Sequence, residues 1–255
     1  MTLLGSRLSR LEDPLYRNVK RTKSAFPEET KMMECGLDLM FGLTRDINGA
    51  SEKDEKPQLY ANSNLFARNR QLLLNAYFCL ICSHYGTQFV ILRTVMENNN
   101  LMRLFNLHSQ YAYEWLPLAT QKRFSLETQS KYNKSGRSNR TFKDRWVRNM
   151  VFKKEGKEEV GKRIKKIYSE LCDYTHPNFK GWRELMGLQG KKEVLLELPA
   201  FTADNASELV GATLYFMQMS FKTCVETFRQ YLFGFAFQLR AWQENFNKLM
   251  VRYET

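Results

Sequence analysis

The most regular pattern of apolar positions lies in the C-terminal third of the chain, at alternating spacings of four and three. Its members are Phe221, Val225, Phe228, Leu232, Phe235, Leu239, Trp242, Phe246, Leu249 and Tyr253. This spacing predicts one long helix from about Ala206 to Tyr253, with Gly234 as its weakest point. A homodimeric coiled coil and packing within the chain both fit. The aromatic side chains favour packing within the chain, with part of the surface left to form a homodimer.

The first 60 residues predict one helix between two less regular segments. Residues 1–26 are basic and broken by Pro14, so we expect an irregular segment or a short helix. Pro27 and the two acids after it are typical of a helix start, because proline suits the first helical position and acids suit the positive end of the helix dipole. We expect this helix to end at Asn48–Gly49, before a polar loop over residues 48–58.

Two largely apolar helices are predicted next. The first begins at a cap formed by Asn62–Ser63 and runs to about Ser83. The second covers about Thr87 to Leu107, after a turn at Gly86. Because the connection is so short, the two helices should form an antiparallel hairpin.

The middle of the chain predicts shorter elements. Helices are expected over 109–124, 142–150 and 157–174, and a small β-hairpin over 182–199. Residues 125–141 have almost no aliphatic side chains, which predicts a basic, mobile loop. The expected fold is therefore an all-α helical bundle in a single domain, residues 1–255, with a long C-terminal helix.

The positive charge is concentrated in one segment. The chain carries a net charge of +12, and residues 122–166 hold 16 Lys and Arg against 5 Asp and Glu, which is +11 of that total. Lysine and arginine neutralise phosphates, and aromatic rings between them can stack on unpaired bases. A solvated surface and an acidic protein partner are the alternatives. We expect binding of nucleic acid or another polyanion, RNA in preference to DNA, by Lys131, Tyr132, Lys134, Arg137, Arg140, Lys143, Arg145, Trp146, Arg148, Lys162, Arg163 and Lys166.

Three residues are candidates for catalysis. Arg93 and Glu97 are four positions apart, so they share one face of the predicted helix 87–107, as an internal ion pair or as a site that faces a groove. His176 stands just before Pro177 where a helix ends, and a histidine can move protons near neutral pH.

The arrangement of Arg93-x-x-x-Glu97 followed by Tyr174-Thr-His-Pro177 resembles the HEPN superfamily. The resemblance implies a helical bundle, often dimeric, and a metal-independent ribonuclease, a nucleotidyltransferase partner or a defence component. His176 corresponds to the catalytic histidine. The chain departs from the family motif at 170–172, where Glu-Leu-Cys contains no arginine, so Arg93 would have to substitute from another helix. The alternative is a non-enzymatic module that binds a partner protein or itself.

Other chemistries find little support. The five cysteines are scattered, and Cys79-x-x-Cys82 lies in an apolar run with no second ligand pair, so we interpret these residues as buried thiols rather than a metal site. We expect no cofactor. Residues 1–13 have no apolar signal-peptide core, and the longest apolar stretch is too short for a bilayer. These features predict a cytoplasmic protein without a membrane partner.

Overall fold

In the computed structural model, the described residues form an all-α fold with one small β-hairpin. The structure describes residues 2–132, 142–154, 156, 162, 165–169, 171, 186–189, 192–195 and 201–253. Among them, no helix is at once long enough and apolar enough to cross a membrane.

Helix α1 (Thr2–Ala25) occupies the segment in which we expected irregular structure or a short helix. The leucines at 4, 8, 11 and 15 are spaced four, three and four apart, which is a helical stripe. Pro14 removes one backbone hydrogen bond but does not end the helix. The prediction was wrong because it gave the proline more weight than the stripe.

Helix α2 (Pro27–Lys53) begins at the predicted proline but continues past Asn48–Gly49. Ser51 lies buried in the extra turn, where its hydroxyl donates to the Asn48 carbonyl at 2.9 Å and to the Ser63 hydroxyl at 3.1 Å. The bond to Ser63, on the following helix, holds the additional turn in place, so the predicted loop shrinks to 54–56.

Helices α3 (Pro57–Ile81) and α4 (Tyr85–Leu107) form the predicted hairpin and contact each other extensively. Two details differ from the prediction. Helix α3 begins at Pro57, and Asn62 and Ser63 are buried inside it rather than capping it. The turn consists of residues 82–84, with Ser83 at a φ of 65°, rather than being formed at Gly86.

Short helices follow the hairpin. They are α5 (Ser109–Trp115), α6 (Leu118–Gln121), α7 (Leu126–Tyr132) and α8 (Asp144–Lys154). Pro117 divides the helix that we predicted over 109–124. Helix α7 occupies the first half of the predicted loop, because the Ser125 hydroxyl accepts from the Thr128 amide at 3.3 Å and thereby caps it. Positions 133–141, the rest of that loop, lie outside the described residues.

The expected β-hairpin is present. Strand β1 (Met186–Gln189) pairs antiparallel with β2 (Lys192–Leu195), with Met186 opposite Leu195 and Gln189 opposite Lys192. Of the helix predicted over 157–174, positions 162, 165–169 and 171 are described, and they are helical.

The long C-terminal helix is divided. Helix α9 (Ala203–Phe228) ends in two short 3-10 turns, Arg229–Tyr231 and Phe233–Phe235, and α10 (Ala236–Met250) follows them. The prediction of one continuous helix from 206 to 253 was therefore wrong. The break includes Gly234, the position that we expected to be weakest.

Most of the aromatic seam packs inside the chain. Phe221, Phe228, Trp242 and Phe246 are buried in the same core as α3 and α4. Trp242 stacks on Phe246 and meets Phe221 edge to face, with ring centroids 5.5 and 4.7 Å apart. These contacts agree with packing within the chain.

Polar side chains connect the three central helices α3, α4 and α9. The Asn69 amide donates to Asn99 Oδ1 at 2.9 Å, and the Asn98 amide donates to Asn69 Oδ1 at 2.8 Å. From α9, the Ser220 hydroxyl donates to Asn99 Oδ1 at 3.0 Å. We call these four residues the asparagine ladder. A buried polar group without a hydrogen-bond partner destabilises the folded state. The ladder therefore specifies how the three helices align.

Candidate nucleic-acid interface

Helix α8 places a basic face beside α4. Asp144 lies in its first turn, where a carboxylate is favourable to the helix dipole. Val147 and Val151 are buried and anchor the helix to the core, in which α8 packs against α4. Arg145, Asn149 and Lys153, on the side away from the two valines, are exposed, and residues four apart on a helix are neighbours.

This face lines a cleft with a volume of about 580 Å³. Its walls come from α8 and from the helical segment that includes positions 162 and 165–169. The lining residues are Arg145, Arg148, Asn149, Phe152, Lys153, Lys162 and Lys165. Five of these seven described residues are basic and none is acidic. We call this cavity the α8 cleft.

Arg148 is the recessed cation of the α8 cleft. Its Nε donates to Asp144 Oδ2 at 2.6 Å, and the two side chains are only 11% and 14% exposed. Burial raises the pKa of the Asp144 carboxyl, Arg148 opposes that rise, and the nearby Glu97 carboxylate adds to it. Asp144 is the one carboxylate partner of Arg148 among the described residues, and the arginine also lines the α8 cleft.

Arg93 and Glu97 lie next to Arg148 and form a half-buried ion pair. Arg93 Nε donates to Glu97 Oε1 at 3.1 Å. The Tyr168 hydroxyl joins them, because it accepts from Arg93 at 2.8 Å and donates to Glu97 Oε1 at 3.0 Å. Burial first, and then the Glu97 carboxylate, raise the pKa of Tyr168 above its ordinary value. The pair is thus internal and also adjoins the cleft. His176 lies outside the described residues.

The structure brings together only part of the predicted binding set. Arg145, Arg148 and Lys162 line the α8 cleft, and Lys166 is exposed beside Lys165. Lys131 and Lys143 are exposed, but they do not line the cleft. The remaining predicted cations lie outside the described residues: Lys134, Arg137, Arg140 and Arg163.

The two aromatic rings predicted to stack on bases already pack against protein. Tyr132 stacks on Tyr113, with centroids 5.7 Å apart and an interplanar angle of 23°. Trp146 meets Tyr111 edge to face at 5.2 Å and Phe142 at 5.7 Å. Both rings are half-buried. Contact with bases at these positions stays a prediction.

Several residues of the site are missing from the set predicted from the sequence, among them Asp144, Asn149 and Lys153. Asn149 and Lys153 are four and eight positions after Arg145, so helical spacing from that arginine could have found them. Asp144 had a weaker signal as an acid four positions before Arg148. The role of Tyr168 had none, since it is 75 positions from Arg93 along the chain.

The cysteine motif carries no metal site in the part of the chain described. Cys79 and Cys82 are half-buried free thiols, and burial raises the pKa of both. Among the described residues, no group of three or more His, Cys, Asp or Glu side chains could hold a metal ion.

Comparison with known proteins identifies no relative. No protein-family model matches this chain, and neither a curated protein nor a solved structure does.

Proposed function

We propose that the protein binds nucleic acid, RNA in preference to DNA, at the α8 cleft. The single observation that carries the proposal is the lining of this cleft by five basic side chains with no acidic residue among the described lining residues. Cations gathered on a concave surface focus the positive potential and attract a polyanion. A strand that binds there releases counterions, so its affinity must fall as salt rises.

Two features support an unpaired strand over a duplex. Arg148 is recessed, so a flexible strand can bring a phosphate to it, whereas the stiff convex surface of a duplex meets mainly the exposed cations at the rim. Asn149 offers an amide donor and acceptor beside Arg148, which suits the exposed base edges of single-stranded RNA. We expect such a protein to act in the cytoplasm.

The test is the binding of fluorescently labelled single-stranded RNA and of duplex DNA over a salt series. We expect tighter binding of the RNA and a decline in log affinity of roughly 0.7 per phosphate contact for each unit of log salt. The double variant Arg145→Glu/Lys153→Glu should abolish binding at moderate salt. The matched control, Arg45→Glu/Lys53→Glu, reverses two charges on α2 and should leave most of the affinity. No binding at low salt, or equal losses in the two variants, would contradict the proposal.

RNA cleavage is the further activity that the HEPN resemblance implies, and we propose it for Arg93, Glu97 and His176. The support is that Tyr168 bonds to both Arg93 and Glu97 and contacts Arg148 of the cleft. Arg93 would stabilise the developing charge on the phosphorus centre, and His176 would transfer protons. His176→Ala should stop cleavage on a gel without weakening binding. Intact RNA with the wild-type protein, or cleavage that survives the substitution, would rule this activity out.

Self-association is a second candidate role, favoured by two exposed phenylalanines. Phe233, in the break before α10, and Phe237, in the first turn of α10, are 82% and 81% exposed. They are four positions apart, and an apolar patch of this kind marks protein contacts. We propose a homodimer through this end of the aromatic segment. Sedimentation velocity should show a dimer at micromolar concentration and a monomer for Phe233→Ser/Phe237→Ser. A monomeric wild-type protein would exclude the dimer.

A further inference from the structure

The ring of Tyr168 contacts two guanidinium groups. Its ring centroid is 4.3 Å from the guanidinium carbon of Arg148 and 4.9 Å from that of Arg93. An aromatic face attracts a cation at this distance, and the attraction grows when water is excluded, as it is around the recessed Arg148. The ring therefore restricts the positions that the Arg148 guanidinium can take.

The hydroxyl of Tyr168 fixes the ring itself. It accepts a hydrogen bond from Arg93 and donates one to Glu97, and both of these residues belong to α4. Arg148 is also held by Asp144, whose Oδ2 accepts from the arginine Nε at 2.6 Å. A continuous set of contacts thus runs from the ion pair on α4, through Tyr168, to the cation at the floor of the α8 cleft.

We propose that Tyr168 is a positioning residue for anion binding, which holds Arg148 in the orientation that meets a phosphate and makes the affinity of the α8 cleft depend on the Arg93–Glu97 pair. This inference rests on the proposed function. A positioned guanidinium loses little side-chain entropy when an anion binds, so its affinity is higher than that of a free arginine. The number of phosphates neutralised does not change, because Tyr168 carries no charge of its own.

The first test compares Tyr168→Phe with Tyr168→Leu in binding of the same labelled single-stranded RNA. Tyr168→Leu should weaken binding by about tenfold, because both cation contacts are lost, while the salt slope stays unchanged. Tyr168→Phe keeps the ring and should lose about threefold. Affinities equal to the wild type in both variants would overturn the inference. Failure of the wild type itself to bind would instead overturn the proposed function.

The second test is a double-mutant cycle. If Tyr168 acts through the pair on α4, Glu97→Gln and Tyr168→Phe break the same set of contacts, so their effects on affinity should be clearly less than additive. Tyr168→Phe and Arg145→Gln should be additive, because Arg145 is an exposed rim cation. Circular dichroism checks that each variant is folded, and Tyr168→Phe is the conservative member if Tyr168→Leu does not fold. Additive effects in the first pair would refute the coupling.

Discussion

Gly36→Ala tests the close approach of α2 to α9 and α10. A β-carbon built at Gly36 overlaps the sulfur of Met217 and stands 2.9 Å from Trp242 Nε1. Met217 is fully buried on α9. The same Trp242 Nε1 donates to the Met32 carbonyl at 3.2 Å. Neither neighbour can move away without losing packing or a hydrogen bond, so the added methyl group must strain the interface.

The size of the effect follows from the cost of overpacking. An extra methyl group in a tightly packed core destabilises by about 1–3 kcal/mol. Gly49 in the same helix provides the matched control, because a β-carbon there meets no atom within 4 Å. Gly49→Ala should raise the free energy of unfolding by roughly 0.5–1 kcal/mol, since alanine favours a helix over glycine.

Urea denaturation followed by circular dichroism measures both variants. The midpoints should move in opposite directions while the dependence on urea stays constant. The melting temperature of Gly36→Ala should fall by about 2–4 °C for each kcal/mol lost. If the two variants are equally stable, α2 does not meet Met217 and Trp242 closely, and the aromatic seam must pack against something else, such as a second chain.

Three further predictions concern the stability of the fold. Burial, and then the Glu34 carboxylate, raise the pKa of Tyr77 from 10.0 to about 12. The stability that this tyrosine contributes is therefore complete below pH 10 and is lost as the pH rises to about 12. In denaturation curves measured across this pH range, Tyr77→Phe should remove that loss. A loss of the same size in the variant would show that another group causes it. Asn69→Ala should lower the free energy of unfolding, measured in urea, by about 2–3 kcal/mol, because Asn98 and Asn99 lose hydrogen-bond partners. Asn64→Ala, on the exposed side of α3, should lower it by less than about 0.5 kcal/mol. Equal losses in the two variants would argue against the ladder. Gly234→Ala should leave the free energy of unfolding unchanged or raise it by about 0.4–1 kcal/mol, since no atom lies within 4 Å of a β-carbon added there. A loss above about 1 kcal/mol would mean that the break depends on glycine.

The interiors of the helices could be predicted because apolar residues recur along the sequence with a period near 3.6. The ends of the helices were not, since they depend on partners distant in sequence. Asn62 resembles a cap in isolation, but it lies mid-helix because Asn106 and Thr227 accept hydrogen bonds from its amide, at 2.8 and 3.1 Å. Ser51 extends α2 for a similar reason, through its bond to Ser63.

The candidate site was predictable only as far as charge and local spacing reach. The excess of Lys and Arg indicated the region, and the four-residue spacing placed Arg93 with Glu97 and could have paired Arg148 with Asp144. The meeting of these two pairs at Tyr168 arises from how α8 and the segment after it pack on α4. The pattern of residues along the sequence contains no signal that predicts this packing.

The division of the C-terminal segment affects how the protein opens under thermal motion. Helix α10 follows a break of two 3-10 turns and packs on α2 and α9, whereas the asparagine ladder connects only α3, α4 and α9. Regions with fewer buried connections unfold locally at lower free energy. Amide protons of α10 should therefore exchange with solvent sooner than those around Asn99, and the outer helix can open and close while the three inner helices remain intact.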